Sequence, residues 1–250
     1  VAIIFRSHGL QRMRQLRRSN NRKEEGATIM GINIAIDGPA GAGKSTIAKK
    51  VAKELSFIYV DTGAMYRAMA LYLLEKGISG DEKISEACHD ADISIRYENG
   101  EQQVILNGKN VTAFLRKEEV GNMASVSSAN PEVRTHLLKL QRNLAAENNV
   151  VMDGRDIGTT ILPNAEVKIF LTASAKTRAI RRYLELTEKG EACDMDEILK
   201  DIVDRDERDM NRAVSPLKKA EDAVLVDSSE MGIDEVVESI LSVYRNRVNR

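Results

Sequence analysis

Gly38-Pro39-Ala40-Gly41-Ala42-Gly43-Lys44-Ser45 decides the fold. The octapeptide matches G-x-x-x-x-G-K-[ST], and it stands in the context that gives the pattern meaning. The β-branched run Ile32-Asn33-Ile34-Ala35-Ile36 precedes it, and residues 45–55 come next with Ile47, Ala48, Val51, Ala52 and Leu55 on one helical face. Strand, glycine-rich loop and helix in that order point to a loop that cradles phosphate. Glycines let backbone N–H groups converge on phosphate oxygens, and the helix N-terminus adds partial positive charge. Lys44 is placed to reach β- and γ-phosphates, and the Ser45 hydroxyl to ligate Mg²⁺. The expectation is a nucleoside triphosphate bound with Mg²⁺ by Gly38, Pro39, Ala40, Gly41, Ala42, Gly43, Lys44, Ser45 and Thr46.

Outward from the loop, Phe57-Ile58-Tyr59-Val60 reads as a second strand ending in Asp61-Thr62-Gly63, succeeded by a helical pattern through Met65, Met69 and Leu73. Strands alternating with helices imply a parallel sheet. The alternation breaks between about residues 84 and 116. There residues 93–97, which alternate with period two, 103–106 and 110–112 read as short strands separated by Asn99-Gly100 and Asn107-Gly108. Asn-Gly supplies the two positive-φ residues of a type I′ hairpin turn, so a small antiparallel meander is expected as an insertion. Residues 118–147 return to helix, with Asn130-Pro131 as a helix start. Residues 150–152 and 167–171 are further strands, residues 176–212 a charged, exposed helical stretch, residues 224–226 a last strand, and a helix begins at Ile233.

The 250 residues carry 37 Lys plus Arg against 38 Asp plus Glu, a net charge of −1. The sum conceals a division. Residues 1–29 hold seven basic and two acidic residues, net +5, and residues 30–250 hold thirty and thirty-six, net −6. The first stretch reads as a basic, disordered extension. Its apolar start, Val1-Ala2-Ile3-Ile4-Phe5, is too short for a secretory signal, and the basic residues come after it instead of preceding it. A transit peptide or a nucleic-acid-binding arm fits its composition, but the preferred expectation is an extension upstream of a true start at Met30, with the working domain in residues 30–250.

Two cysteines, Cys88 and Cys193, lie far apart with no C-x-x-C, which excludes a zinc knuckle or disulfide scaffold and points to a reducing cytoplasm. No apolar run approaches the roughly 18 residues needed to span a bilayer. With 4% aromatic residues and no Trp, a base-stacking platform is absent from the composition. Neither the Asn-Lys-x-Asp nor the Asp-x-x-Gly tetrapeptide of a regulatory GTPase occurs. Beyond Met30 the chain instead sets a series of arginines among carboxylates: Arg67, Arg134, Arg155, Arg205, Arg208 and Arg212. Arg67 and Arg155 lie just past strand ends, where open α/β folds place ligands. Transfer between two phosphates crowds negative charge, and positioning with neutralisation by Mg²⁺, Lys and Arg is most of the catalysis.

Four motifs in order now carry a family resemblance. Residues 37–46 (DGPAGAGKST), 61–67 (DTGAMYR), 152–159 (MDGRDIGT) and 205–217 (RDERDMNRAVSPL) resemble those of the bacterial cytidylate kinases, and the resemblance covers about residues 31–240. It implies a P-loop α/β fold, a parallel sheet flanked by helices, with a nucleoside-monophosphate-binding insertion over about residues 64–148 containing the meander and a helical lid over about residues 178–212. It implies ATP-dependent phosphorylation of CMP and dCMP by direct in-line transfer, in pyrimidine nucleotide metabolism, with no covalent enzyme intermediate. The implied roles are catalysis by Lys44, Arg155 and Arg212, and binding of the acceptor nucleotide by Thr62, Tyr66, Arg67, Ser125, Arg134, Arg155, Asp156, Arg205, Asp209 and Arg212. Cytosine chemistry agrees. Its N4 amino group suits Asp156 and Ser125, and its O2 and N3 acceptors suit Arg134. Tyr66 is open to two readings, ligand contact or packing. Asp153 and Asp37 are each open to a role at the metal or as backbone caps. A cytoplasmic monomer with small-molecule substrates, and no nucleic acid or membrane partner, completes the expectation; UMP or shikimate is the rival acceptor, and a nucleic-acid-binding protein using residues 1–29 the rival class.

Overall fold

The computed structural model describes residues 31–248, so the expectations placed on residues 1–29 lie outside the described residues. Five parallel strands make the central sheet. They are β1 (Asn33–Asp37), β2 (Ile58–Asp61), β6 (Val150–Gly154), β7 (Val167–Thr172) and β8 (Val224–Asp227), in the spatial order β2-β6-β1-β7-β8. The register pairs Asp37 with Gly154 across β1 and β6, and Asp61 with Asp153 across β2 and β6. Three motif-bearing strand ends therefore lie side by side at one edge of the sheet, which is what brings residues more than 100 positions apart into one site.

Alternation along β1 shows why the sheet is covered on both faces. Ile34 and Ile36 point into a core shared with Ile169 and Leu171 of β7, Ile47 and Val51 of α1 (Lys44–Leu55) and Ile240 of α8 (Ile233–Val248). Ala35, between them, points the other way, to a core with Val60 of β2, Met152 of β6, Met65, Met69 and Leu73 of α2 (Thr62–Glu75) and Leu137 of α5 (Pro131–Glu147). Burial on two faces accounts for the nearly uninterrupted apolar strands.

The insertion begins with α2, continues through α3 (Asp81–Ala87), and then forms the antiparallel sheet β3 (Ile93–Glu98), β4 (Glu101–Leu106) and β5 (Lys109–Asn110). Asn99 and Gly100 have φ of 53° and 82°, and Asn107 and Gly108 of 48° and 78°, the positive values both hairpin turns require. The third strand is shorter than its sequence suggests, because Thr112 leaves the ladder to bond Asn110 and the Val104 amide through its hydroxyl. Helix α3 went unread in the sequence. Its seven residues bury only Ile84, too little for periodicity to register. The helical expectation over residues 118–147 divides into α4 (Glu118–Ser127) and α5, and Asn130 starts α5 by accepting from the Glu132 and Val133 amides. The Asn130 amide also donates to Asp81 and Ser85, tying α3 to α5.

The meander is fastened to the main sheet at its exposed edge, β2. The Gln102 side chain accepts from the Asp61 N–H (2.9 Å) and donates to the Asp61 carbonyl (3.1 Å), and the Tyr97 hydroxyl donates to the Tyr59 carbonyl (2.9 Å). These bonds occupy backbone groups that an edge strand otherwise leaves open. Beyond β7 the charged stretch forms an antiparallel pair, α6 (Ala175–Glu188) and α7 (Met195–Asn211). None of the described helices is long and apolar enough to cross a membrane.

Candidate active site

The loop after β1 takes a course that only glycine permits at its first position. Gly38 has φ of 147°, and a Cβ there would sit 1.9 Å from the Leu171 carbonyl oxygen. Gly41 and Gly43 also have positive φ, and Gly43 in the left-handed region delivers the chain into α1 at Lys44. Lys44 is buried and donates to the Pro39 carbonyl at 2.7 Å. Burial, reinforced by the Arg155 guanidinium, pushes its ammonium well below the usual lysine range, while Asp153, Asp37 and Asp209 pull the other way. The direction is that of a cation short of anions. Ala42 is buried beneath the loop and Thr46 is exposed on the first turn of α1.

Asp153, near the end of β6, receives the Ser45 hydroxyl on Oδ2 (3.0 Å) and the Tyr59 hydroxyl on Oδ1 (2.9 Å). Its carboxyl is pushed up to about 6 by burial and the neighbouring Asp61, against Lys44 and the two hydroxyls. A buried carboxylate and a hydroxyl meeting beside a phosphate-binding loop make a hard oxygen donor pair of the kind Mg²⁺ accepts along with phosphate oxygens and water. Asp37, at the end of β1, is held differently. Its two oxygens accept from the Ile157 and Gly158 amides at 2.8 Å each, so the capping reading describes its contacts. Burial raises its carboxyl to about 6 despite those bonds.

The Gly154-Arg155-Asp156 segment leaves the sheet beside the loop and enters a five-residue π-helical turn, Ile157–Ile161. Asp156 is buried between two guanidinium groups. Arg134 from α5 bonds its Oδ2, and Arg212, just past α7, lies 3.5 Å from its Oδ1. Arg134 also donates to the Ser128 carbonyl (3.2 Å) and lies 5.5 Å from the centroid of the Tyr66 ring. Arg155 donates from Nε to Asp209 Oδ2 at 2.9 Å. Burial acts to raise the Asp209 carboxyl, but Arg155, Arg205 and Arg212 outweigh it and hold it below the usual range. Arg205 is lowered to about 10 by burial and by Arg155, Arg67 and Arg208 around it, and its Nε is buried with no hydrogen-bond partner. Arg212 is lowered in the same sense, by burial and then Arg134, and it donates to the Ser215 carbonyl (2.7 Å). Arginines thus outnumber carboxylates in a partly dehydrated cleft, and the imbalance calls for an anionic ligand.

The remaining sequence-read residues divide. Arg67 is half-buried on α2 and contributes to the field at Arg205. Ser125 lies on α4, 3.4 Å from Arg208 Nη1 of α7, so the helical pair reaches across to the insertion. Thr62 faces inward. Its buried hydroxyl donates to the Asp153 carbonyl at 2.7 Å, which fixes the start of α2 against β6. Tyr66 packs under Arg134, with burial pushing its hydroxyl upward.

Three participants have no local sequence signal. Arg178, buried on α6, donates to the Ala40 carbonyl of the loop (2.9 Å) and to the Ala173 carbonyl (2.9 Å), and forks onto Asp206 of α7 (2.6 and 3.2 Å). Loop, sheet end and helical pair meet on this one guanidinium. Tyr59 holds Asp153 from a neighbouring strand, and Gln102 holds the backbone that leads into Thr62. Apart from the Arg178–Ala173 bond, each pairing spans at least 28 residues, beyond any motif.

With this geometry in view, comparison with known proteins is informative. Residues 34–246 match the family model described as cytidylate kinase. The cytidylate kinase of Caldicellulosiruptor bescii is 51% identical over 215 residues, covering 85% of this chain and 95% of that protein. That of Listeria monocytogenes serotype 4a is 50% identical over 219 residues, covering 87% and 98%, and that of Shouchella clausii 48% identical over 217 residues, covering 86% and 96%. Matched along nearly the whole length of these relatives, the chain belongs to the cytidylate kinase family.

Proposed function

We propose that the chain transfers the γ-phosphoryl group of ATP to the phosphate of CMP or dCMP, giving ADP and CDP or dCDP in one in-line step. The observation that carries this reading is the surplus of guanidinium groups. Arg67, Arg134, Arg155, Arg205 and Arg212 gather about Asp156 and Asp209 at the sheet edge that also presents Lys44. Two nucleotides meeting through their phosphates supply the missing negative charge, and an acceptor that is already an anion needs no general base.

In this reading Lys44, Arg155 and Arg212 stabilise the transferring group, the loop from Gly38 to Thr46 holds the donor, Arg67 joins Thr62, Tyr66, Arg155 and Arg212 around the acceptor phosphate, and Arg205 and Asp209 hold the acceptor's ribose. Asp156 and Ser125 take the N4 amino group of cytosine and Arg134 its acceptor edge; uracil, with O4 and N3–H, reverses that pattern. Mg²⁺ bound with ATP supplies charge neutralisation across the donor phosphates. Ser45 would ligate Mg²⁺, and Asp153, which holds the Ser45 hydroxyl, would hold water beside the ion. The pair α6 and α7 closes over both nucleotides and excludes water. The reading extends to a cytoplasmic monomer working in pyrimidine nucleotide metabolism, with residues 30–250 as the kinase domain.

Assay of ADP release with CMP, dCMP, UMP, AMP and shikimate tests the acceptor directly. CMP and dCMP are expected to be preferred by kcat/KM, and turnover of another acceptor with none of CMP refutes the reading. Lys44→Ala is expected to lower kcat by about two orders of magnitude or more for every acceptor, since it removes charge stabilisation common to all of them.

Asp153 gives a test that needs no substrate. Its carboxyl binds a proton more tightly folded, at about 6, than at its ordinary value of 3.8. That proton's contribution to stability is present below about pH 4 and is lost as pH rises through 6. Asn at this position does not titrate. In urea unfolding without nucleotide or Mg²⁺, Asp153→Asn is expected to gain on the wild type by about 2 kcal/mol between pH 4 and pH 7.5; a constant difference across that range contradicts the assignment.

A further inference from the structure

Asp156 has two competing uses. It directly precedes the turn Ile157–Ile161, and an Asp in that position ordinarily folds its carboxylate back onto N–H groups of the first turn. A carboxylate spent that way is turned from the cleft. Here Asp156 makes no such bond, and both of its oxygens face Arg134 and Arg212.

The turn is capped by another residue. Asp37, 4% exposed, places one oxygen on the Ile157 amide and the other on the Gly158 amide, 2.8 Å each. Gly158 leaves the carboxylate uncrowded, since even a Cβ there would lie in ordinary contact with Asp37 Oδ2, at 3.4 Å. Asp37 is also the residue before Gly38, so the start of the phosphate loop and the base-facing segment share one anchor.

We propose that Asp37 is a positioning residue for base selection: by capping the turn in place of Asp156, it frees the Asp156 carboxylate to face Arg134, Arg212 and the base. The proposal rests on the reading of Asp156 as the group that takes the cytosine amino. Its capping half stands on geometry alone. In Asp37→Asn one oxygen is kept, but an NH₂ is set against a backbone N–H, so one amide loses its acceptor and Asp156 becomes the nearest replacement.

The test compares wild type, Asp37→Asn, Asp156→Asn and the double variant, reading kcat/KM for CMP and UMP, with a crystal structure of Asp37→Asn. Asp37→Asn is expected to reduce the CMP-over-UMP preference by about tenfold or more. In the Asp156→Asn background it is expected to cause no further reduction. The crystal structure is expected to show Asp156 turned onto the Gly158 or Thr159 amide. Equal loss for both acceptors, an added loss in the double variant, or an Asp156 that still faces Arg134 overturns the proposal. If Asp156→Asn itself keeps the preference, the base-reading assignment fails, and the position of Asp156 in the Asp37→Asn crystal still decides the capping claim. Should Asp37→Asn not fold, Asp37→Ser removes one of the two acceptors that hold the Ile157 and Gly158 amides and is expected to shift the preference in the same direction, an unchanged preference counting against the proposal.

Discussion

Like charges held close together in a partly dry cleft repel, and the fold is organised around holding them there. Arg67, Arg134, Arg155, Arg205 and Arg212 come from α2, α5, the segment after β6, and α7 with its C-terminal end. Without the parallel sheet to align three strand ends, no two of those elements need meet. Asp156 and Asp209 offset part of the repulsion, each shared among several guanidinium groups. The uncompensated remainder is expressed as lowered proton affinity at Arg205 and Arg212. A site that costs stability when empty regains it when a polyanion enters, because binding to the folded state alone stabilises it.

The donor side is built on the opposite principle, close backbone approach. Gly38 lies against the Leu171 carbonyl, and Lys44 and Arg178 donate to carbonyls of the loop itself, so the loop's shape rests on contacts from three separate elements. The two sides are joined by two side chains, Arg178 and Asp37. Arg178 links the loop to α7 through Asp206, and Asp37 links the strand before the loop to the segment carrying Arg155 and Asp156. A shift of α7 relative to the loop therefore has to stretch the Arg178–Asp206 fork or carry Arg178 away from the Ala40 carbonyl.

Much of this was legible in the sequence where the signal is local. The strand, glycine loop and helix at residues 32–55 are one contiguous pattern, and both Asn-Gly turns declare their hairpins through positive φ. Arg155 was identifiable because it lies just past a strand end. Direction and partnership were not legible. Nothing around Thr62 says that its hydroxyl turns to the Asp153 carbonyl, and nothing near Asp37 or Asp153 says which would cap amides and which would take hydroxyls. Those outcomes depend on strand order, which places β6 between β1 and β2, and sequence periodicity does not encode order. Helix α3 and the π-helical turn were missed because each is too short for its period to repeat.

The central claim is that two phosphate groups are brought face to face and the phosphoryl group passes directly between them. The stereochemical course at phosphorus tests it most directly. With ATP made chiral at the γ-phosphorus by oxygen isotopes and CMP as acceptor, a single in-line displacement inverts the configuration in the CDP formed. Inversion is the result this account requires. Net retention would mean that the phosphoryl group rests first on a protein side chain, and would contradict it.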